Sequence, residues 1–220
     1  MKTSLIERCS AFFHFKGILF VILILISLAS CKKEEVEEID PQRNILFQED
    51  FNNNDKNWPI IEDSAVITSL ENGKYYIEHT IADLNSYFYI YINSILNNEY
   101  TIETSFNFIE GVEDFMYGLI WFRKDSFNHY YLYFNDNKFL IGYIYNYKHH
   151  LISDWTESES IKLNGEQNKI ELKISGSHFD LFINDDLVYG HDAEAAIGKK
   201  AGFKVRSKGK IAIDDILMYW

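Results

Sequence analysis

The sequence predicts an all-β protein over residues 44–220, a two-sheet antiparallel sandwich. Three observations lead there. Tyr, Phe, Ile and Val recur in short runs that alternate with polar residues, the period-2 pattern of strands that bury one face. The chain has only two prolines, Pro41 and Pro59, and neither falls inside such a run, where proline would break the ladder. Clusters of Asn, Asp, Gly and Ser separate the runs at hairpin spacing, and no repeat of the ~20–50 residues typical of propellers or solenoids is visible. About fourteen strands joined in this way pack as two stacked sheets.

The first run, Ile45–Phe51, leads into a loop that holds Trp58. Ala65–Leu70 and Lys74–His79 flank Asn72-Gly73, a pair that takes the positive φ of a tight hairpin. Tyr87–Ile92, Tyr100–Ile109 and Phe115–Arg123 follow, dense in aromatic and β-branched residues. Asn135-Asp136-Asn137 reverses the chain between Tyr130–Asn135 and Phe139–Tyr147, and Leu151–Trp155 reads as a further strand. Ser175-Gly176-Ser177 joins Lys169–Ser175 to Phe179–Ile183, and Asn184-Asp185-Asp186 joins that strand to Leu187–Tyr189. Asp192–Ile197 reads as one short helical turn. Ser207-Lys208-Gly209 links the closing strands Ala201–Arg206 and Lys210–Tyr219.

Residues 1–30 read as a secretory signal. Lys2, Arg8 and Lys16 precede the apolar core Ile18–Leu28, which is shorter than the roughly 20 residues of a spanning helix. Leu28-Ala29-Ser30-Cys31 resembles the lipobox of bacterial lipoproteins. That resemblance implies cleavage before Cys31, lipidation of Cys31 and attachment to a membrane through it; an uncleaved membrane anchor is the alternative. Residues 31–43 form a charged tether, Lys32-Lys33-Glu34-Glu35-Val36-Glu37-Glu38, with little apolar surface to bury. The acidic run after Cys31 is similar to the surface-export signal of lipoproteins in Bacteroidetes-type bacteria, which implies an outer-membrane, surface-exposed protein; a generic solvated linker would look the same. With Cys9 in the leader and Cys31 modified, the mature chain keeps no thiol for a disulfide or a metal.

The formal net charge is −12. Loss of the leader removes Lys2, Arg8 and Lys16 against Glu7 alone, so the mature chain is more acidic still. Such a surface repels phosphate backbones and argues against a nucleic-acid partner. Oligomeric state is left open.

From about Ile45 to Trp220 the chain resembles the concanavalin A-like jelly-roll superfamily, which includes laminin G-like domains and the 3-keto-disaccharide hydrolase domain family. The resemblance is carried by Phe47-Gln48-Glu49-Asp50-Phe51, by Asn72-Gly73-Lys74-Tyr75-Tyr76-Ile77 and by Tyr117-Gly118-Leu119-Ile120-Trp121-Phe122-Arg123. Tyr130–Phe134, the pair Asn168–Ile174 and Phe179–Asp185, and the closing Ala201–Val205 and Ile211–Ile216 continue it, although the turn Asn184-Asp185-Asp186 lacks the family's Gly. It implies a jelly roll, and for the hydrolase group it implies glycoside hydrolysis.

Retaining glycosidases hold two carboxylates about 5–5.5 Å apart. Glu38-Ile39-Asp40 matches the start of such a motif but sits in the tether. The candidate acids elsewhere are Glu103, Glu110, Asp114, Asp125 and Asp154, and none pairs on one strand. Aromatics are the stronger signal. Alternation puts Tyr117, Trp121 and Arg123 on one face of their strand, Tyr131 and Tyr133 on one face of the next, and Tyr143 and Tyr145 on one face of the third. This set makes either a sugar-stacking platform with one Arg or the aromatic core of a sandwich. The opposite parity (Ile120, Phe122, Leu132, Phe134, Leu140, Ile144) is apolar and reads as the better core face. Asp50 with Asp214 or Asp215 would meet if the terminal strands pair, and would then suit a structural calcium; solvated acids are the alternative. No other cofactor is expected, and the scattered His residues show no metal spacing. The expected function is a lipid-anchored envelope module that binds glycan or polysaccharide without catalysis. A glycoside hydrolase and a structural or protein-binding domain are the alternatives.

Overall fold

The computed structural model describes residues 43–92, 99–192 and 198–220. The leader, Cys31 and most of the tether lie outside the described residues. So does 193–197, where the sequence places a helical turn; Asp192 itself closes a strand.

Fifteen strands and no helix occur among the described residues. Those of one sheet are β1 (Ile45–Glu49), β2 (Val66–Glu71), β3 (Lys74–His79), β5 (Glu99–Gly111), β11 (Gln167–Ser175), β12 (His178–Ile183), β13 (Asp186–Asp192) and β15 (Gly209–Tyr219). Those of the other are β4 (Asn85–Tyr91), β6 (Met116–Asp125), β7 (Asn128–Asn135), β8 (Lys138–Tyr145), β9 (Lys148–Leu151), β10 (Thr156–Glu157) and β14 (Lys200–Arg206). The back sheet runs β13-β12-β11-β5-β15-β3-β2, with β1 on β15; the front sheet runs β10-β8-β7-β6-β14-β4, with β9 on β8. Every pairing is antiparallel, and the chain crosses between sheets in the manner of a jelly roll.

The Asn72-Gly73 hairpin forms as expected, with φ of 53° and 70°. The expected strand Leu151–Trp155 does not. The Ile152 and Ser153 amides both donate to the Ile141 carbonyl, at 2.9 and 3.1 Å, and this bends the chain off β8 between β9 and β10.

Between the sheets lies one aromatic-rich core. Trp58, from the loop after β1, stacks on Phe203 of β14 at 5.3 Å and lies 5.5 Å from Tyr75 of β3. Phe106 of β5 meets Phe203 at 5.7 Å and Tyr117 of β6 at 5.8 Å. Trp121 stacks on Tyr130 at 5.6 Å and meets Phe179 edge-on at 5.9 Å. Such pairs add about 0.5–1.5 kcal/mol each beyond the area they bury.

One carboxylate fixes the loop that delivers Trp58. Glu49 accepts the Phe51 amide at 3.0 Å and the Trp58 indole N–H at 3.1 Å, while the Pro59 carbonyl accepts the Tyr75 and Thr68 hydroxyls at 2.7 Å each. Removing Glu49 would strand two buried donors at a cost of about 1–3 kcal/mol each.

Candidate functional site

Directly opposed residues of an antiparallel pair share a face, so the pairing register sorts the front sheet. Phe88↔Phe203, Phe203↔Leu119, Tyr117↔Phe134, Trp121↔Tyr130, Leu132↔Ile141 and Tyr130↔Tyr143 all point between the sheets. The outward set is Lys204↔Tyr87, Gly202↔Tyr89, Lys204↔Gly118, Ile120↔Tyr131, Tyr133↔Leu140, Tyr131↔Gly142 and His129↔Ile144.

This corrects the expected platform. Tyr117 and Trp121 belong to the core, 5 % and 1 % exposed, and Tyr143 packs against it. Arg123, Tyr131 and Tyr133 lie on the outer face. Tyr145 sits at the strand end, opposite Lys148 and half exposed. The expected core parity is also divided: Phe122, Leu132 and Phe134 are inside, whereas Ile120, Leu140 and Ile144 face outward. Two physical reasons account for this. β6 has a bulge after Trp121, with Phe122 at φ +50°, so Phe122 and Trp121 both face inward and Arg123 is thrown outward. On β7 and β8 both parities are aromatic or aliphatic, so hydrophobicity alone does not choose the buried side.

The outer face carries an ammonium in a cage of tyrosines. Lys204, only 2 % exposed, places Nζ 4.5 Å from the Tyr131 ring centre, 4.7 Å from Tyr133 and 5.1 Å from Tyr87. Arg123, 4 % exposed, lays its guanidinium 4.4 Å over Tyr87 and 4.8 Å over Tyr89; Lys200 sits 4.6 Å from Tyr89. Arg206 occupies the same parity on β14, and His129 packs edge-on to Tyr87 at 5.3 Å. Glycines make room beneath. A Cβ on Gly202 would lie 2.1 Å from the Phe88 carbonyl oxygen, and one on Gly118 2.0 Å from that of Leu132. The Tyr131 hydroxyl covers Gly142.

No Asp or Glu shares this face from Asn85 across to Gly142 among the described residues. Asp125 ends β6 turned to the Phe127 amide at 2.8 Å and the Asn128 amide nitrogen at 2.9 Å. Arg123 donates to the Asp125 carbonyl at 2.8 Å and Ser126 Oγ at 3.2 Å, which leaves its Nε without a partner. His129 on the same face is fully buried. Burial pushes the Lys204 ammonium down to about 7, with Arg123 and Arg206 adding to the shift. Burial, then Lys204 and Arg123, push His129 down to about 3. Burial raises the Tyr87, Tyr131 and Tyr133 phenols.

The candidate acids do not gather. Glu103 lies on the outer side of the back sheet, opposite Glu171, where it accepts the Tyr219 hydroxyl at 2.5 Å and pairs with Arg43 at 3.5 Å. Glu110 is exposed at the end of β5 beside a cavity of about 480 Å³ lined by Glu78, His79 and Lys208. Asp114 accepts Ser207 Oγ at 2.9 Å, and Asp154 lies in the exposed bend before β10. The terminal strands β1 and β15 do pair, but Asp50 is bound to the Asn52 amide and Asp214 to Gln167 and Lys74. The Asp215 carbonyl accepts the Thr104 hydroxyl. No group of three or more His, Cys, Asp or Glu side chains among the described residues is arranged to hold a metal ion.

Sequence reasoning missed Tyr87, Tyr89, Lys200, Lys204, Arg206 and His129. The signal was present: Tyr87-Phe88-Tyr89-Ile90-Tyr91 and Lys204-Val205-Arg206 alternate strictly, and a cation on one parity marks the outer side.

No protein-family model matches the chain, and no curated protein matches it. Solved structures do. A laminarinase from Flavobacterium sp. UMI-01 superposes with a TM-score of 0.57 at 14 % identity, over 80 % of this chain and all 100 % of that one. A mixed-linkage-glucan GH16 protein of Bacteroides ovatus, solved with a product, gives 0.58 at 10 % identity over 79 % and 100 %. The CBM2 module of an evolved Dit protein from a Lactobacillus casei phage gives 0.54 at 9 % identity over 81 % and 96 %. At such identities the likeness establishes the jelly-roll sandwich and nothing finer.

Proposed function

We propose that this chain is a glycan-binding module held at the bacterial outer membrane by a lipid on Cys31, with the outer face of the front sheet as its binding surface. The observation that carries the reading is a tyrosine-lined sheet face with cations and no carboxylate pair. Aromatic rims offer flat surfaces for sugar rings, and Arg and Lys offer donors to hydroxyls. Among the described residues the face lacks the paired acids that hydrolysis of the usual retaining or inverting kind requires. Similar folds occur in proteins named as laminarinase and as a CBM module, so the scaffold itself is compatible with carbohydrate.

The test is a panel of immobilised polysaccharides and oligosaccharides probed with the full chain, alongside a reducing-end assay of the same glycans. The expected result is retention on at least one glycan without release of new reducing ends, weakened in Tyr89→Ala, whose ring is 37 % exposed at the rim. Absence of binding across the panel would sink the reading, and steady release of reducing ends would replace it with the hydrolase.

A further inference from the structure

The cations of the front sheet are too deeply placed to be solubilising charges. Lys204 and Arg123 are 2 % and 4 % exposed, yet no ion pair joins either to a carboxylate among the described residues. Buried charges are ordinarily paired, because taking an ion out of water costs several kcal/mol unless an opposite charge receives it. Cation–π contact with the tyrosine rings returns part of that. Arg206 and Lys200 share the parity of Lys204 on β14 and bring further positive charge to the strand. Arg123 retains an unused Nε–H donor among the described residues. The rest of the chain is acidic, so this arrangement is a local inversion of the protein's charge.

We infer that this face takes an anionic glycan, seating a carboxylate or sulfate ester of the sugar between Lys204 and Arg123. The inference rests on the glycan-binding reading and deepens it. A uronate carboxylate and a sulfate ester both offer oxygens to an ammonium and a guanidinium, and charge-assisted bonds of this kind are about twice as strong as neutral ones. The ligand supplies the missing counter-charge. Tyr87, Tyr131 and Tyr133 lie against Lys204, and Tyr87 and Tyr89 against Arg123, so Tyr87 is shared by the two cations.

The experiment uses the full chain and two matched oligosaccharide pairs: an oligouronate with its carboxyl-reduced neutral counterpart, and a sulfated galactan with its desulfated form. Calorimetric titration is expected to give at least tenfold tighter binding for one anionic series than for its neutral partner. Lys204→Met should remove most of that difference, and Lys200→Gln, at the rim, should reduce it without loss of folding. Preference for the oligouronate names the carboxylate, and preference for the sulfated series names the sulfate. Equal affinity for charged and neutral partners, unchanged in Lys200→Gln and Lys204→Met, overturns the inference and leaves the glycan-binding reading standing. Failure of all series together with the wider glycan panel overturns both.

Discussion

A lysine that is buried with no carboxylate partner among the described residues makes predictions of opposite sign for stability and for binding. Lys204 titrates near 7 in the folded protein and at 10.5 as an ordinary lysine. Below pH 7 both states hold the proton and the full desolvation cost is present. Between about pH 7 and 10.5 the unfolded chain holds a proton that the folded one has shed, so this group makes stability rise with pH across that window. His129 acts at the other end: its folded value near 3 lies below the ordinary 6.5, so stability falls as pH drops through that interval. Lys204→Met should therefore melt higher than the parent at pH 6.5, with the difference shrinking towards pH 10, while its glycan affinity falls. Thermal melts at several pH values check this, and a lower melting temperature at pH 6.5 would mean that the tyrosine cage more than offsets the burial of the charge. Trp121 carries the reverse expectation. Its indole is 1 % exposed between Tyr130 and Phe179, so Trp121→Ala should lower stability by about 3–5 kcal/mol through the cavity it leaves. A denaturant midpoint unchanged in that variant would contradict its place in the core.

At the scale of the strand, the site depends on three glycines that let side chains lie close to the sheet. Gly202 of β14 is the sharpest case, because a Cβ there would meet the Phe88 carbonyl oxygen at 2.1 Å and the Tyr89 Cα at 2.6 Å, both backbone atoms that yield only if β4 moves. Gly202→Ala should cost about 1–3 kcal/mol, the range for overpacking, and loosen β4, which carries Tyr87 and Tyr89 over the cations. Faster hydrogen exchange at β4 amides than at β7 amides is the expected reading; equal change on both strands would show a global effect only. Here the sequence was partly legible. Most of the strands and the hairpin turns follow from period-2 alternation and turn chemistry. Which face of β6 looks inward does not, because one bulge after Trp121 reverses the parity of Arg123, and a bulge leaves no compositional mark when both faces are apolar. On β7 the apolar Leu132 and Phe134 mark the core side and leave Tyr131 and Tyr133 outward, as parity alone suggests; what the sequence did not bring to that face is Lys204 and Arg206 of β14.

For the whole molecule, the net charge of −12 and the cationic face act on an anionic polymer at different distances. The acidic body is felt at long range, and the face only near contact. At about 10 mM salt the Debye length is roughly 30 Å, comparable to the domain, so the body repels the approaching chain before the face is reached. At about 0.15 M it falls to roughly 8 Å, which removes most of that repulsion while the short-range attraction to Lys200, Lys204, Arg123 and Arg206 persists. At about 1 M it is near 3 Å and the attraction is screened as well. Association with an anionic glycan should then be fastest at intermediate salt, unlike the monotonic loss shown by a uniformly basic binder of polyanions. Surface plasmon resonance of the full chain on an immobilised oligouronate or sulfated galactan, from about 10 mM to 1 M salt, measures this directly. A rate constant that falls at every step would show that the face, not the body, sets the long-range field. A rate constant that rises at every step would show that cations contribute nothing at contact, and with it the seat at Lys204 and Arg123 would be lost.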